Sequence, residues 1–148
     1  MSTDLKIAQV LIPLPPSANN RLASIRTQTG ARQVSTKELK AWKKRIPGIL
    51  LEQRPPSFGS APIVVVMDIH FPDSSRRRDI VNYEKAATDA LDKYGVFDDD
   101  SQIIDYRVSL RGNVPGGVMM ITITEASEVD VERSQRVVAD RPREWGPA

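Results

Sequence analysis

Residues 63–71 read IVVVMDIHF. A nearly continuous apolar run of this length, rich in β-branched residues and stopped by Pro72, predicts a strand that is mostly buried. The rest of the chain must enclose it. Upstream, KIAQVLIPL predicts another strand from Lys6 to Leu14, and the prolines of PLPPSANN end it with a rigid extended segment and a turn. Residues 21–34 show no clear period and carry Arg21, Arg26 and Arg32, so a mobile basic loop is expected there. A helix follows. Ser35 with Glu38 three residues on forms a capping-box start, and Leu39, Trp42 and Ile46 have helical spacing. Pro47 is expected to kink or end it.

Downstream of the buried strand the chain reads DSSRRR, a basic loop, and then a helix from about Ile80 to Tyr94 with Gly95 as its stop. VFDDDSQ makes an acidic turn. IIDYRVSLR and GVMMITITE alternate as strands, and GNVPGG is expected to join them in a hairpin. The order β-α-β-α-β-β points to the α/β (α+β) class: one small domain, a mixed sheet of about four strands and two main helices. Residues 127–148 form a charged C-terminal tail, expected to be disordered or packed on a partner.

The absence of cysteine excludes a disulfide framework, thiolate zinc and cysteine catalysis. No apolar run approaches the ~20 residues of a membrane helix. The apolar stretch at the N-terminus is short, ended by prolines and without a small-residue cleavage site. A cytoplasmic location with no membrane partner is expected. A net charge of +2 is too mild to establish a nucleic-acid partner, so the placement of charge matters more than its sum.

Charge is concentrated around the helix at 80–94. At 100° per residue from Asp79, Ile80, Tyr83, Ala87, Ala90, Leu91 and Tyr94 fall between about 20° and 120°, the core face. Asn82, Lys85, Asp89, Asp92 and Lys93 fall on the other side. Val81 lies near ~200°, off the apolar stripe and among polar neighbours. Taken singly, each charged group has an ordinary explanation: Asp79 caps the helix, Asp98–Asp100 form a solvated turn, and Arg76–Arg78 a solvated loop. Together they suggest more. If the chain turns back along the helix after Gly95, the acids at 98–100 approach Asp79, and clustered carboxylates favour a shared cation. Hard divalent ions take carboxylate oxygens and waters. A metal flanked by Lys85 and Arg76–Arg78 is the arrangement that phosphodiester hydrolysis needs.

The stretch RRRDIVNYEKAATDALDKYGVFDDDSQIIDYRV resembles the signature of the RusA family of Holliday-junction resolvases. Asp79, Asn82, Lys85, Asp89-Ala90-Leu91, Gly95, Asp99-Asp100 and Gln102 fall in step with that pattern. So do IPLPPSANN near the start and the strand ITITE near the end. The resemblance covers roughly residues 7–125 and implies a nuclease domain at 1–126. It implies a homodimeric endonuclease that nicks four-way junction DNA with Mg²⁺, Mn²⁺ being an alternative, in genes often carried by phages and prophages. By the resemblance, Asp79 and Asp100 are metal ligands and catalytic groups, with Asp99 carried more weakly. Lys85 lies near the scissile phosphate, while Arg76, Arg77, Arg78 and Asn82 contact DNA.

Val81 departs from the pattern, which has a second aspartate there. Valine cannot ligate a metal through its side chain. Three readings stay open: Asp98 or Glu84 supplies the missing oxygen, the site holds metal weakly and cuts slowly, or the protein binds junctions without cutting them.

Overall fold

The computed structural model describes residues 4–17, 22–27, 30–137 and 142–147. In chain order its elements are β1 (Ile7–Pro13), β2 (Leu22–Thr27), β3 (Gly30–Ser35), α1 (Lys37–Gln53), β4 (Ile63–His70), α2 (Glu84–Lys93), β5 (Ile103–Leu110), β6 (Val118–Glu125) and α3 (Glu128–Ser134). Short 3₁₀ turns occupy Ile80–Asn82, Asp100–Gln102 and Arg143–Trp145. A mixed four-stranded sheet in the order β1-β6-β4-β5 carries the core, and β2 and β3 form a separate two-stranded sheet.

The run at 63–70 is an interior strand, antiparallel to β6 on one side and parallel to β5 on the other. Ile63, Val65, Met67 and Ile69 are buried on one face. Ala8, Val10 and Ile12 of β1 and Met119, Ile121 and Ile123 of β6 continue the same apolar cluster. α1 contributes Leu39, Trp42, Ile46 and Leu50 to it, and α2 contributes Ala86, Ala87, Ala90 and Leu91. Each large aliphatic side chain withdrawn from water in this way contributes about 1.5–3 kcal/mol. Gln53, at the end of α1, closes the free edge of β1. Its Oε1 accepts from the Leu11 N–H at 2.8 Å and its Nε2 donates to the Leu11 carbonyl at 2.6 Å, leaving fewer open groups on an edge strand.

The expected hairpin of the last two strands does not form. β5 pairs only with β4, and β6 lies on the opposite side of β4. A helical connection such as α2 allows β4 and β5 to run parallel. The loop after β5 then crosses the end of β4: Arg111 N–H donates to the Ile69 carbonyl at 2.9 Å and Val114 N–H to the Phe71 carbonyl at 3.0 Å. Residues 22–27 and 30–35 pair antiparallel, so most of the expected basic loop is a hairpin. Ladder hydrogen bonds use the backbone and need no apolar period. Arg21 lies outside the described residues. Because Ser35 pairs with Leu22, the cap of α1 is Thr36, whose side chain accepts from the Leu39 N–H. The helix continues through Pro47 to Gln53.

The helix expected from Ile80 to Tyr94 is split. A 3₁₀ turn covers Ile80–Asn82, Tyr83 joins it to α2 at φ −118° and ψ −19°, and α2 starts at Glu84. Tyr83 is buried with its ring edge-on to Phe71, the centroids 5.0 Å apart. Gly95, at φ 77°, ends α2 as expected. Its N–H bonds the Asp92 carbonyl and that of Val96 bonds the Leu91 carbonyl. These two bonds reverse the chain in a Schellman turn, for which glycine is the least strained residue. Tyr94, expected in the core, is partly exposed beside this turn. In the C-terminal segment, α3 carries a capping box formed by Ser127 and Asp130.

Candidate active site

The turn after Gly95 is anchored by the buried Val96 and Phe97, so Asp98, Asp99 and Asp100 follow a fixed stretch of backbone. Asp99 caps the short 3₁₀ turn, its Oδ1 accepting from the Ser101 N–H at 3.3 Å. Gln102 reaches back to the same turn, its Oε1 accepting from the Asp98 N–H at 2.9 Å and the Asp99 N–H at 2.8 Å. This reversal brings Asp99 and Asp100 to Asp92 near the end of α2. The three carboxylates present oxygens within 4.8 Å of one another. Asp79 and Asp98 are not members of that group.

The electrostatics of the group suit a cation. The Asp99 carboxylate, hydrogen-bonded to Asp100, holds the Asp100 carboxyl above the usual carboxylate range, and Asp92 adds to the effect while Lys85 opposes it. Asp99 itself is held low, first by the Ser101 N–H and then by Asp100. Closely spaced carboxylates are a donor set whose mutual repulsion a hard divalent ion relieves. Asp100 also lines an open groove of about 300 Å³ with Glu84, Lys85, Thr88, Ile103 and Tyr106. The chain therefore returns along the helix as far as Glu84 and Lys85, but Asp79, which the acids were expected to approach, belongs neither to the acidic group nor to this groove.

Lys85 is 62 % exposed and its Nζ lies 2.9 Å from Asp89 Oδ1, one turn further along α2. Beneath it, the Thr88 hydroxyl bonds the Tyr106 hydroxyl at 2.8 Å and donates to the Glu84 carbonyl. Burial pushes the Tyr106 phenol up to about 12. This contact ties α2 to β5 under the groove.

A second groove, of about 270 Å³, is lined by Ser17, Arg76, Arg77, Arg78, Asp79, Asn82 and Tyr83. It shares no residue with the groove of Asp100. Asp79 precedes the 3₁₀ turn in extended geometry, yet its side chain makes no capping bond. The ordinary explanation of this aspartate therefore lacks its hydrogen bond. Arg76 and Arg77 are exposed, whereas the Arg78 side chain is only 9 % exposed. Arg78 donates to the Asp73 carbonyl at 3.0 Å, meets Asp73 Oδ1 at 3.3 Å and lies over the Phe71 ring at 5.4 Å. Val81 is 66 % exposed, off the core as its angle on the helix predicts.

Asp99 and Asp100 are thus brought together with Lys85 nearby, while Asp79, Asn82 and the arginines form a neighbouring basic surface. Asp92 was assigned to the solvent face by helical angle alone. The available signal was Gly95: a helix stop with positive φ makes residues on its two sides neighbours. Glu84, one of the alternatives for the oxygen missing at Val81, borders the Asp100 groove.

A family model described as "Endodeoxyribonuclease RusA" matches residues 13–124. A protein of Escherichia coli (strain K12) named "Crossover junction endodeoxyribonuclease RusA" is 38% identical over 116 residues, covering 78% of this chain and 92% of the relative. The protein of that name from Enterobacteria phage 82 is 36% identical over 116 residues, with the same coverage. Another, from Escherichia coli O139:H28 (strain E24377A / ETEC), is 35% identical over 119 residues, 80% of this chain and 95% of the relative.

Proposed function

Because the chain belongs to the RusA family of endodeoxyribonucleases, we propose that it resolves four-way DNA junctions by metal-dependent hydrolysis of phosphodiester bonds. The observation that carries this reading is the convergence of Asp92, Asp99 and Asp100 beside Lys85, next to a groove lined by arginines. Asp99 and Asp100 are assigned to hold a divalent ion, Mg²⁺ or Mn²⁺, with Asp92 as a neighbour that completes the donor set. A bound ion of this kind neutralises charge on the phosphate and makes a coordinated water more acidic.

The chain's own residues do the rest. Arg76 and Arg77, exposed and lining that groove, hold the phosphate backbone, and Asn82 lines the same surface. Asp79 borders that groove, outside the acidic group, and the family pattern makes it a further ligand of the ion. Lys85 is released from Asp89 to offset charge on the phosphate or leaving oxygen. An exposed pair of this kind is worth about 0.3–0.5 kcal/mol, so a phosphate readily displaces it. Two nicks on a symmetric junction call for two sites, hence a homodimer. Residues 1–126 form the nuclease domain, 127–148 are an adjunct to it, and the protein acts in the cytoplasm, where the DNA is.

One observation favours a second reading, a junction-binding protein without nuclease activity. Val81 is exposed where the family pattern has an aspartate, so the site has one carboxylate fewer. Incubation of a synthetic four-way junction with Mg²⁺, comparing this chain with Val81→Asp, separates the two. Cutting by both supports the resolvase. Cutting only after substitution supports the binding protein. Binding of the junction no better than linear duplex sinks both.

A further inference from the structure

We propose that Gln102 is a positioning residue of the acidic site, holding Asp99 and Asp100 in the geometry that receives the ion. This rests on the assignment of those two carboxylates as ligands. The Gln102 amide uses its full hydrogen-bonding capacity, two acceptor sites and two donors. On one side Oε1 accepts from the successive N–H groups of Asp98 and Asp99 at 2.9 and 2.8 Å. On the other side Nε2 donates to the Gly59 carbonyl at 2.8 Å and the Ala61 carbonyl at 2.6 Å. One side chain thus joins the acidic turn to a loop more than forty residues away.

That loop is itself fixed. Phe58 is buried, and its N–H donates to the Val96 carbonyl at 2.8 Å, while the Asp98 N–H also reaches the Gly59 carbonyl at 3.0 Å. The clamp therefore links the acidic turn to the body of the protein on both sides. Asp99 is held extended, at φ −155° and ψ 142°, with its side chain turned onto the Ser101 N–H.

The reason for an amide is electrostatic. Three carboxylates within 4.8 Å repel one another without an ion, and that repulsion acts to open the turn. Lysine or arginine at this position could bond the two carbonyls but has no acceptor for the two N–H groups. A cation there would also compete with the metal for the same carboxylates. A carboxylate would accept from the N–H groups but face the two carbonyls without a proton to give. The neutral amide holds both sides and adds no charge.

The test measures Mn²⁺ binding by electron paramagnetic resonance on the full chain, with thermal melting of the ion-free protein alongside. Gln102→Met keeps the length of the side chain and removes every hydrogen bond. The expected result is a loss of Mn²⁺ affinity of about 10- to 100-fold, the usual effect of removing support behind a metal ligand. Junction binding without metal stays at the wild-type level, and excess Mn²⁺ restores cleavage. If Gln102→Met fails to melt cooperatively, Gln102→Asn is read in its place, because the shorter amide reaches only one side of the clamp. A lower melting temperature with unchanged Mn²⁺ affinity of the folded protein overturns the proposal, since the clamp would then serve folding alone. If Asp100→Asn binds Mn²⁺ as tightly as wild type, the ligand assignment fails and takes this inference with it. Loss on Asp100→Asn with retention on Gln102→Met or Gln102→Asn overturns the positioning role alone.

Discussion

The Arg78 guanidinium meets the Asp73 carboxylate at 3.3 Å and the carbonyl of the same residue at 3.0 Å, closing the loop that leads from β4 to Asp79. The guanidinium also lies over the Phe71 ring, which contacts Tyr83 in turn. One arginine of the three is therefore part of the loop's own structure, while its two neighbours face solvent.

Arg76→Ala and Arg77→Ala should each weaken junction binding and lower the slope of log affinity against log salt by about 0.9, without changing the melting temperature. Arg78→Ala should lower the melting temperature as well, through loss of a charged hydrogen bond and the Phe71 contact, a cost of roughly 1.5–3 kcal/mol. Salt titrations paired with thermal melts check this. Equal slopes and equal melting temperatures for all three variants would mean that Arg78 is an ordinary phosphate contact.

Asp100→Asn and Asp79→Asn should reduce cleavage by about 100-fold or more, since the electrostatic stabilisation at such a site amounts to several kcal/mol. Junction binding should persist or tighten, because a negative charge near phosphate has been removed. Gel-shift titration beside a single-turnover cleavage assay separates the two effects. A variant that loses binding in parallel with cleavage has lost structure.

Metal affinity should depend on pH. Asp100 is held above its ordinary value by Asp99, and it must release its proton to ligate. Mn²⁺ affinity should therefore fall as the solution is acidified through that raised value, beginning above the ordinary carboxylate range of about 4. Asp99→Asn removes the group chiefly responsible and should move the midpoint down. A midpoint unmoved in Asp99→Asn would break the link between the pair and the ion.

Tyr106 gives a stability test. Its folded value is raised to about 12 by burial, whereas an unfolded tyrosine ionises near ~10. The raised value contributes stability that is fully present below the unfolded value and is lost as pH rises through the folded one. Denaturant midpoints should thus drop in the alkaline window between those two values. Tyr106→Phe should abolish this drop and cost about 1 kcal/mol at neutral pH, because the Thr88 hydroxyl keeps its bond to the Glu84 carbonyl.

Much of the local structure was legible in the residues. The apolar run at 63–70 is an interior strand because Ile63, Val65, Met67 and Ile69 fill the core from one face, while its other face, with Asp68 and His70, is only half-buried. Gly95 stops α2 because its positive φ costs a residue with a Cβ more than it costs glycine. Val81 projects from the core, where the angular reading put it, although it stands in a 3₁₀ turn ahead of α2. The motif around Asp79, Lys85 and Asp100 identified the family. These are short-range properties, fixed by periodicity, turn chemistry and residue type, and a single segment carries them.

What only the tertiary structure decided was pairing. Nothing in IIDYRVSLR and GVMMITITE says that β4 will lie between them, because the choice of strand neighbour depends on which edges remain open once β4 and α2 have packed. The same holds for the acids. The sequence placed Asp99 and Asp100 near a turn. Their meeting with Asp92 depends on the Schellman reversal, and the fixing of that turn depends on carbonyls of Gly59 and Ala61, some forty residues before Gln102. Contacts between distant segments are set by the packing of the whole chain, and a local pattern contains no record of them.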